Sequence, residues 1–375
     1  MASKATFPLR PAGELFSLEY GMNLSGDDRS GGCFPVLGSN GIVGYHDTAA
    51  VNGPGIVIGR KGSIGKAVWV QGDFWPIDTT YYVVPKTGHS LRWLYYLLDQ
   101  LRLETLNSAT GVPGLNRDDV YRLKIPVPTE EETVRIAENL STVDNTIDAT
   151  RAVIAQTREL KTALLHDLLN NGLPGKKTKF RQVRLGDVFI ERREKGIEGL
   201  PVMSVTASGL VRRDSLDRRV ESDLRPDQHL LVRKGDIAYN MMRMWQGVFG
   251  LADFDGFVSP AYVVVTPTQG MRPLYAKYLF EHPATVHLFH LYSQGIVEDR
   301  LRLYFEQFRS IPLRIVAEEK VQQQIADALM AVDTRIATLS DELTRMSDLK
   351  SALSQVLLTG QVHLKAKEGR QCRKK

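Results

Sequence analysis

Cysteine is nearly absent from this 375-residue chain. Only Cys33 and Cys372 occur. They cannot build a four-ligand zinc site, and such sparing use is expected of a reduced, cytoplasmic setting. No stretch reaches about 18 consecutive apolar residues, so no membrane span is expected. The first residues hold no apolar signal core. Catalytic signatures are also missing. There is no GxGxxG, no GxSxG, no HExxH and no Asn/Asp-Pro-Pro-aromatic tetrad of an amino-methyltransferase. Glu318-Glu319-Lys320 matches only the tail of a nuclease motif, and it opens a helix, where acidic residues suit the positive end of the dipole. The expectation is a chain with no catalytic residue and no metal ligand set. Strong charge of one sign is absent too. Lys and Arg number 48 against 43 Asp and Glu, a formal net charge of +5. That balance leans mildly toward an anionic partner.

What is present is a duplication. Residues 136–169 and 325–358 align at a constant offset of 189, and 12 of the 34 positions are identical. Neither stretch contains Gly or Pro. Their apolar residues recur at alternating three- and four-residue steps, which is a heptad seam. In the first copy the seam runs through Ile136, Leu140, Val143, Ile147, Leu164 and Leu168; in the second, through Ile325, Leu329, Val332, Ile336, Leu353 and Leu357. One polar residue is shared at a seam position, Lys161/Lys350. It fixes the register of the helices or snorkels to solvent. Thr129 with Glu132 fits a capping box at the first helix start, and Asn170-Asn171-Gly172 fits its end. A helix from 129 to 170 is about 60 Å long. Its narrow seam requires a partner helix, for which its own copy is the nearest candidate. Two copies related by a two-fold axis lie antiparallel, so the expectation is a rigid spacer with a head near each end.

The repeat divides the chain into a first block (1–128), a helix (129–172), a linker (173–180), a second block (181–315), a second helix (316–360) and a basic tail (361–375). Short apolar runs bounded by Gly and Pro predict strands at 34–37, 55–59, 67–70 and 80–85 in the first block. A helix is predicted over 91–106 and a last strand over 124–128. The second block predicts strands at 202–205, 236–239 and 262–266 and a helix over 273–282, and it leaves through 310–315. At an offset of 181, Ile56/Ile237, Tyr81/Tyr262, Val83/Val264 and Val84/Val265 coincide. The fold class expected is therefore α+β: two tandem α/β blocks joined by two long antiparallel coiled-coil helices, with pseudo-two-fold symmetry.

Two heads on one spacer suit a duplex read twice. In the first block the turn Gly59–Lys66 joins glycines with Arg60, Lys61, Ser63 and Lys66. Glycines let a backbone approach a phosphate and the cations supply charge; a solvated basic hairpin is the other reading. The second block offers Asn240, Arg243, Trp245 and Gln246 at the equivalent place. Asn and Gln match adenine edges and Arg matches guanine. Trp245 either stacks on a base or belongs to the core. Asn116, Arg117, Arg300 and Arg302 lie before the exit strands and are further candidates. The pairs Arg192-Arg193, Arg212-Arg213 and Arg218-Arg219 are expected at the surface, some of them on phosphates.

With its duplicated helices, the Ile125-Pro126-Val127-Pro128 exit, Thr110–Arg117, Gly235–Asn240 and Ser259–Tyr262, the chain resembles the specificity subunit of type I restriction-modification systems. The resemblance covers essentially the whole chain. It implies target-recognition domains, each reading one half of a split asymmetric site in double-stranded DNA. The paired helices would set the spacing and dock two modification subunits. Those subunits would bind S-adenosylmethionine and methylate adenine, and ATP- and magnesium-dependent restriction subunits would join to cut. This chain would hold no cofactor. The family often has Glu-Gln ahead of the helix isoleucine; here the copies read Glu132-Thr133 and Val321-Gln322, so each keeps half. A free-standing bipartite DNA-binding regulator and a single-chain restriction or methylation enzyme with fused recognition domains are the alternatives.

Overall fold

The computed structural model of the chain describes residues 7–107, 113–206, 209–215, 225–297 and 300–364. Arg218-Arg219, most of the basic tail and Thr110–Val112 lie outside those residues. The fold is α+β and divides into two compact units, Met1–Arg151 with Asp341–Lys375, and Ala152–Ser340.

In the first unit an antiparallel four-stranded sheet runs in the order Phe16–Tyr20, Thr80–Pro85, Gly55–Gly59, Ala67–Val70. Every residue of the central strand Gly55–Gly59 is buried. The chain enters through Leu9–Pro11, which pairs antiparallel with the exit strand Lys124–Pro126. A helix, Leu91–Gln100, packs on the sheet through Trp93, Leu94, Leu97 and Leu98. The second unit repeats the plan. Its four-stranded sheet has the order Phe189–Glu191, Tyr262–Pro267, Ile237–Asn240, Phe249–Leu251. Its entry strand Phe180–Arg184 pairs with Pro312–Val316, and its head helix is Pro273–Glu281.

Strand register corrects the internal alignment by one residue. Ile58 pairs with Tyr81, whereas Tyr239 pairs with Val263. The central strands therefore match at an offset of 181, and everything from the next strand to the head helix matches at 182. The coincidence of Tyr81 with Tyr262 is one residue out of structural register.

The long helices are Glu130–Asn171 and Glu319–Leu358. Their seam residues do two jobs. Ile136, Ala137, Leu140, Leu357 and Leu358 belong to the core of the first unit, and Leu168, Leu169, Ile325, Ala326 and Leu329 to the core of the second. These duplicated apolar residues thus close a head, while the equally duplicated Val143, Leu164, Val332, Ile336 and Leu353 are only half-buried and Ile147 is buried.

Three local expectations need revision. The helix from Leu91 ends at Gln100, because Arg102 turns left-handed (φ 49°) and a 3-10 turn, Leu103–Leu106, follows. The backbone of Glu104 must fit against Gly65, whose missing Cβ would stand 2.3 Å from Glu104 N. The capping box at Thr129 is half made. Thr129 Oγ1 accepts from Glu132 N at 3.3 Å, but the Glu132 carboxylate accepts from His363 Nδ1 (3.0 Å) and Leu364 N (3.3 Å). Arg192 is no surface arginine. Its guanidinium donates to Asp236 at 2.7 Å, and the Asp236 side chain is only 2% exposed.

Candidate nucleic-acid interface

In the first unit the turn after the central strand is closed by its own backbone. Gly65 N donates to Gly59 O at 2.8 Å and Gly59 N to Lys66 O at 3.2 Å. A Cβ on Gly59 would meet Ser63 O at 2.0 Å, so Gly59 serves the turn itself. Within this turn only Gly62 has open space where a Cβ would stand, and its φ is positive at 75°. Lys61, Ser63 and Lys66 are exposed around it. The return segment then docks beside the turn: Gly62 N donates to Pro113 O (3.2 Å), Lys61 bridges to Gly114, and Leu115 N donates to Arg60 O (2.9 Å). Tyr81 holds that segment by donating its hydroxyl to Leu115 O at 3.2 Å. Burial, with Tyr20 beside it, pushes the Tyr81 phenol up to about 12, so it stays a donor at neutral pH.

Arg60 and Arg117 both face the half-exposed ring of Tyr20, each with its guanidinium carbon 5.1 Å from the ring centre. Arg60 is further pinned by donating to Asp78 O at 2.6 and 3.1 Å. Planar cations held against an aromatic face lose little freedom when they meet a phosphate or a guanine edge. Asn116 is exposed, but its side chain caps the short helix Arg117–Arg122, accepting from Asp118 N at 3.0 Å.

The second unit builds the same junction from different residues. Asn240 Oδ1 accepts from Met242 N at 3.0 Å and starts the turn. Gly247, left-handed at φ 76°, ends it. Leu303 N donates to Met241 O at 2.8 Å, the counterpart of Leu115 on Arg60. Gln294 and Arg302 exchange backbone hydrogen bonds of 2.9 and 2.8 Å. Arg243, Gln246, Arg300 and Arg302 are exposed. Trp245 is not a free stacking platform: it is half-buried, its Nε1 donates to Met242 O at 3.0 Å, and its ring lies 5.7 Å from that of His290. In each unit, then, the sequence-derived candidates gather where the turn after the central strand meets the return segment. Of the other paired arginines, Arg212 is engaged with Asp214 at 2.8 Å.

Sequence reasoning missed Tyr20, whose role depends on two arginines far away in the chain. It also missed what replaces the Glu-Gln pair at the helix starts. Thr133 Oγ1 accepts from Ser90 N at 3.0 Å, and Gln322 Oε1 accepts from Arg272 N at 2.9 Å. Ser90 and Arg272 are the N-caps of the two head helices. Thr133 and Gln322 occupy the same repeat position, are fully buried, and do the same work with different side chains. Gln322 adds bonds from Nε2 to Gly270 O (3.0 Å) and Val316 O (2.8 Å).

Comparison with known proteins gives a consistent result. The family model described as the type I restriction modification DNA specificity domain matches residues 9–158. The specificity subunit of the type I restriction enzyme EcoprrI from Escherichia coli is 27% identical over 138 residues, 35% of this chain and 34% of the relative. The match therefore spans about a third of that relative's length. Among solved structures, the S subunit of a type I restriction-modification system from M. genitalium aligns with a TM-score of 0.68 at 16% identity, covering 96% of this chain and 97% of the other. A chain from a structure of type I R-M complex assembly and conformational transition aligns at 0.54 and 13% identity, covering 95% and 98%. These two likenesses show a shared fold.

Proposed function

We propose that this chain, whose residues 9–158 match the family model of the type I restriction modification DNA specificity domain, is the non-catalytic DNA-recognition subunit of a type I restriction-modification complex. It reads a split, asymmetric site in double-stranded DNA, one half with each unit. Two modification subunits dock on it and supply S-adenosylmethionine and the pocket for a flipped adenine. Restriction subunits bring ATP, magnesium and cleavage. In this role the protein works in the cytoplasm.

The observation that carries the reading is the repetition of one junction on one sheet plan. Each unit has the same four-strand order, and in each the turn after the central strand is hydrogen-bonded to the return segment. The residues presented there differ: exposed Lys61, Ser63 and Lys66 with half-buried Arg60 and Arg117 in one unit, exposed Arg243, Gln246, Arg300 and Arg302 in the other. A repeated scaffold with unlike contact residues reads two unlike half-sites. The test is a genome-wide map of adenine methylation in cells with and without the gene for this chain. The expected result is loss of one asymmetric motif of two specific halves around an unspecific spacer. An unchanged map in cells that express the modification subunits contradicts the reading.

A further inference from the structure

The lysines shared by the duplicated helices stand in matching clusters. In the second unit Lys161 Nζ lies 2.7 Å from Asp333 Oδ1 and 3.0 Å from Glu281 Oε2. Tyr278 donates its hydroxyl to Asp333 Oδ2 at 2.8 Å, and Lys161 Nζ sits 5.6 Å from the Tyr278 ring centre. In the first unit Lys350 Nζ lies 2.7 Å from Asp144 Oδ1, Tyr96 donates to Asp144 Oδ2 at 2.7 Å, and Lys350 Nζ sits 5.6 Å from the Tyr96 ring centre. Lys161/Lys350 and Asp144/Asp333 are equivalent repeat positions, so in each unit the lysine of one copy meets the aspartate of the other. The tyrosine comes from the head helix, as does a second cation: Lys277 3.3 Å from Asp333, and Arg92 3.5 Å from Asp144.

Burial alone would lower the Lys161 ammonium, but its bonds to Asp333 and Glu281 outweigh that and hold it above its ordinary value. Burial likewise opposes the Asp333 carboxylate, yet Lys161, Tyr278 and Lys277 hold it below the usual range. Half-buried ion pairs add little net stability, but they penalise arrangements that leave a charge unmatched. A slip of one helical turn sets Lys161 against Leu329 or Ala337. In one of those directions Lys350 still finds an acid, Asp148, but neither cluster keeps its tyrosine.

We propose that the two Lys–Asp–Tyr clusters are register keys. They fix the antiparallel register of the long helices and tie each head helix to it, and thereby set the spacer length tolerated between the half-sites. The last step rests on the split-site reading above. Lys161, Lys350, Asp144, Asp333, Tyr96 and Tyr278 are positioning residues that touch no DNA.

Register is read directly by cross-linking in the full chain, with Cys33→Ser and Cys372→Ser as background. Thr150 Oγ1 lies 3.9 Å from Met346 Sδ. Thr150→Cys with Met346→Cys should form an intramolecular disulfide as the main product under mild oxidation. Adding Lys161→Met and Lys350→Met, which keep most of each stem, should make it a minor product. Thr150→Cys paired with Glu342→Cys or Leu349→Cys, about one turn away, should then gain it. Lys161→Arg with Lys350→Arg should keep the original product. Helicity by circular dichroism separates slippage from unfolding. An undiminished 150–346 disulfide in the folded methionine variant overturns the register key. A second arm methylates a DNA library that varies only the spacer. The methionine variant should broaden or shift the accepted lengths while the half-site bases stay the same. A shifted cross-link with an unchanged spacer profile overturns the link to spacing. Absence of any split-site methylation by the wild-type complex overturns the split-site reading, and the cross-link arm still decides the register key.

Discussion

Replacing Arg60 and Arg117 together by alanine is expected to weaken binding of the complex to its duplex site by about thirtyfold or more at physiological salt, since each arginine on a phosphate or base edge contributes about 1–3 kcal/mol. The two guanidinium groups face the same Tyr20 ring, each at 5.1 Å, beside the one open glycine of the turn. Titration at several salt concentrations tells what they touch. If both neutralise phosphates, the slope of log K against log salt falls by about 2. If both read bases, the slope holds while discrimination at one half-site is relaxed. Lysine at both positions should restore the salt slope but not base discrimination, because only the planar guanidinium pairs bidentately with guanine. Unchanged affinity and unchanged discrimination would remove the pair from the interface.

Gly65→Ala is expected to disorder the first unit's junction. A Cβ there stands 2.3 Å from the backbone nitrogen of Glu104, and φ is +77°. Overpacking against backbone and a left-handed alanine add to a cost of about 4 kcal/mol. Hydrogen exchange checks it locally. Protection should fall in the strands Gly55–Gly59 and Thr80–Pro85 and persist in Ile237–Asn240 and Tyr262–Pro267. Gly62→Ala, with nothing within 4 Å of the added carbon, should cost only about 1 kcal/mol from its positive φ. Equal protection in Gly65→Ala and wild type would contradict the packing described for the turn.

Much of the fold was legible because two independent signals agreed. The repeat at 189 residues delimited the long helices, and Gly- and Pro-bounded β-branched runs marked the sheet strands. What escaped depends on contacts far apart in the chain. Lys161 looked like a lone cation in a seam, since its partner Asp333 is identified only once the antiparallel register is known. Tyr96 and Tyr278 match at an offset of 182, one residue away from the offset that aligned the strands, so the insertion between the central strand and its neighbour hid the equivalence. Arg192 read as a surface residue because nothing local shows that Asp236 lies against it. The exposure of Lys61, Ser63 and Lys66 followed from a basic Gly-rich turn, whereas the tight fit of Gly59 and Gly65 did not.

The clusters at Lys161 and Lys350 also account for a contrast inside the repeat. Leu160/Leu349 is duplicated as faithfully as Lys161/Lys350, yet both leucines are 53% exposed. The identical positions therefore do not form one apolar stripe. Some close a head core, two carry the crossed ion pairs, and two, Leu160/Leu349 and Ala163/Ala352, face outward.

The central claim is that each unit reads its own half-site. Exchange of residues 1–128 for the matching block of a related chain, followed by single-molecule mapping of methylated adenines, tests it most directly. The expected map keeps one half of the motif and replaces the other. A map in which both halves change together would contradict the two-reader account.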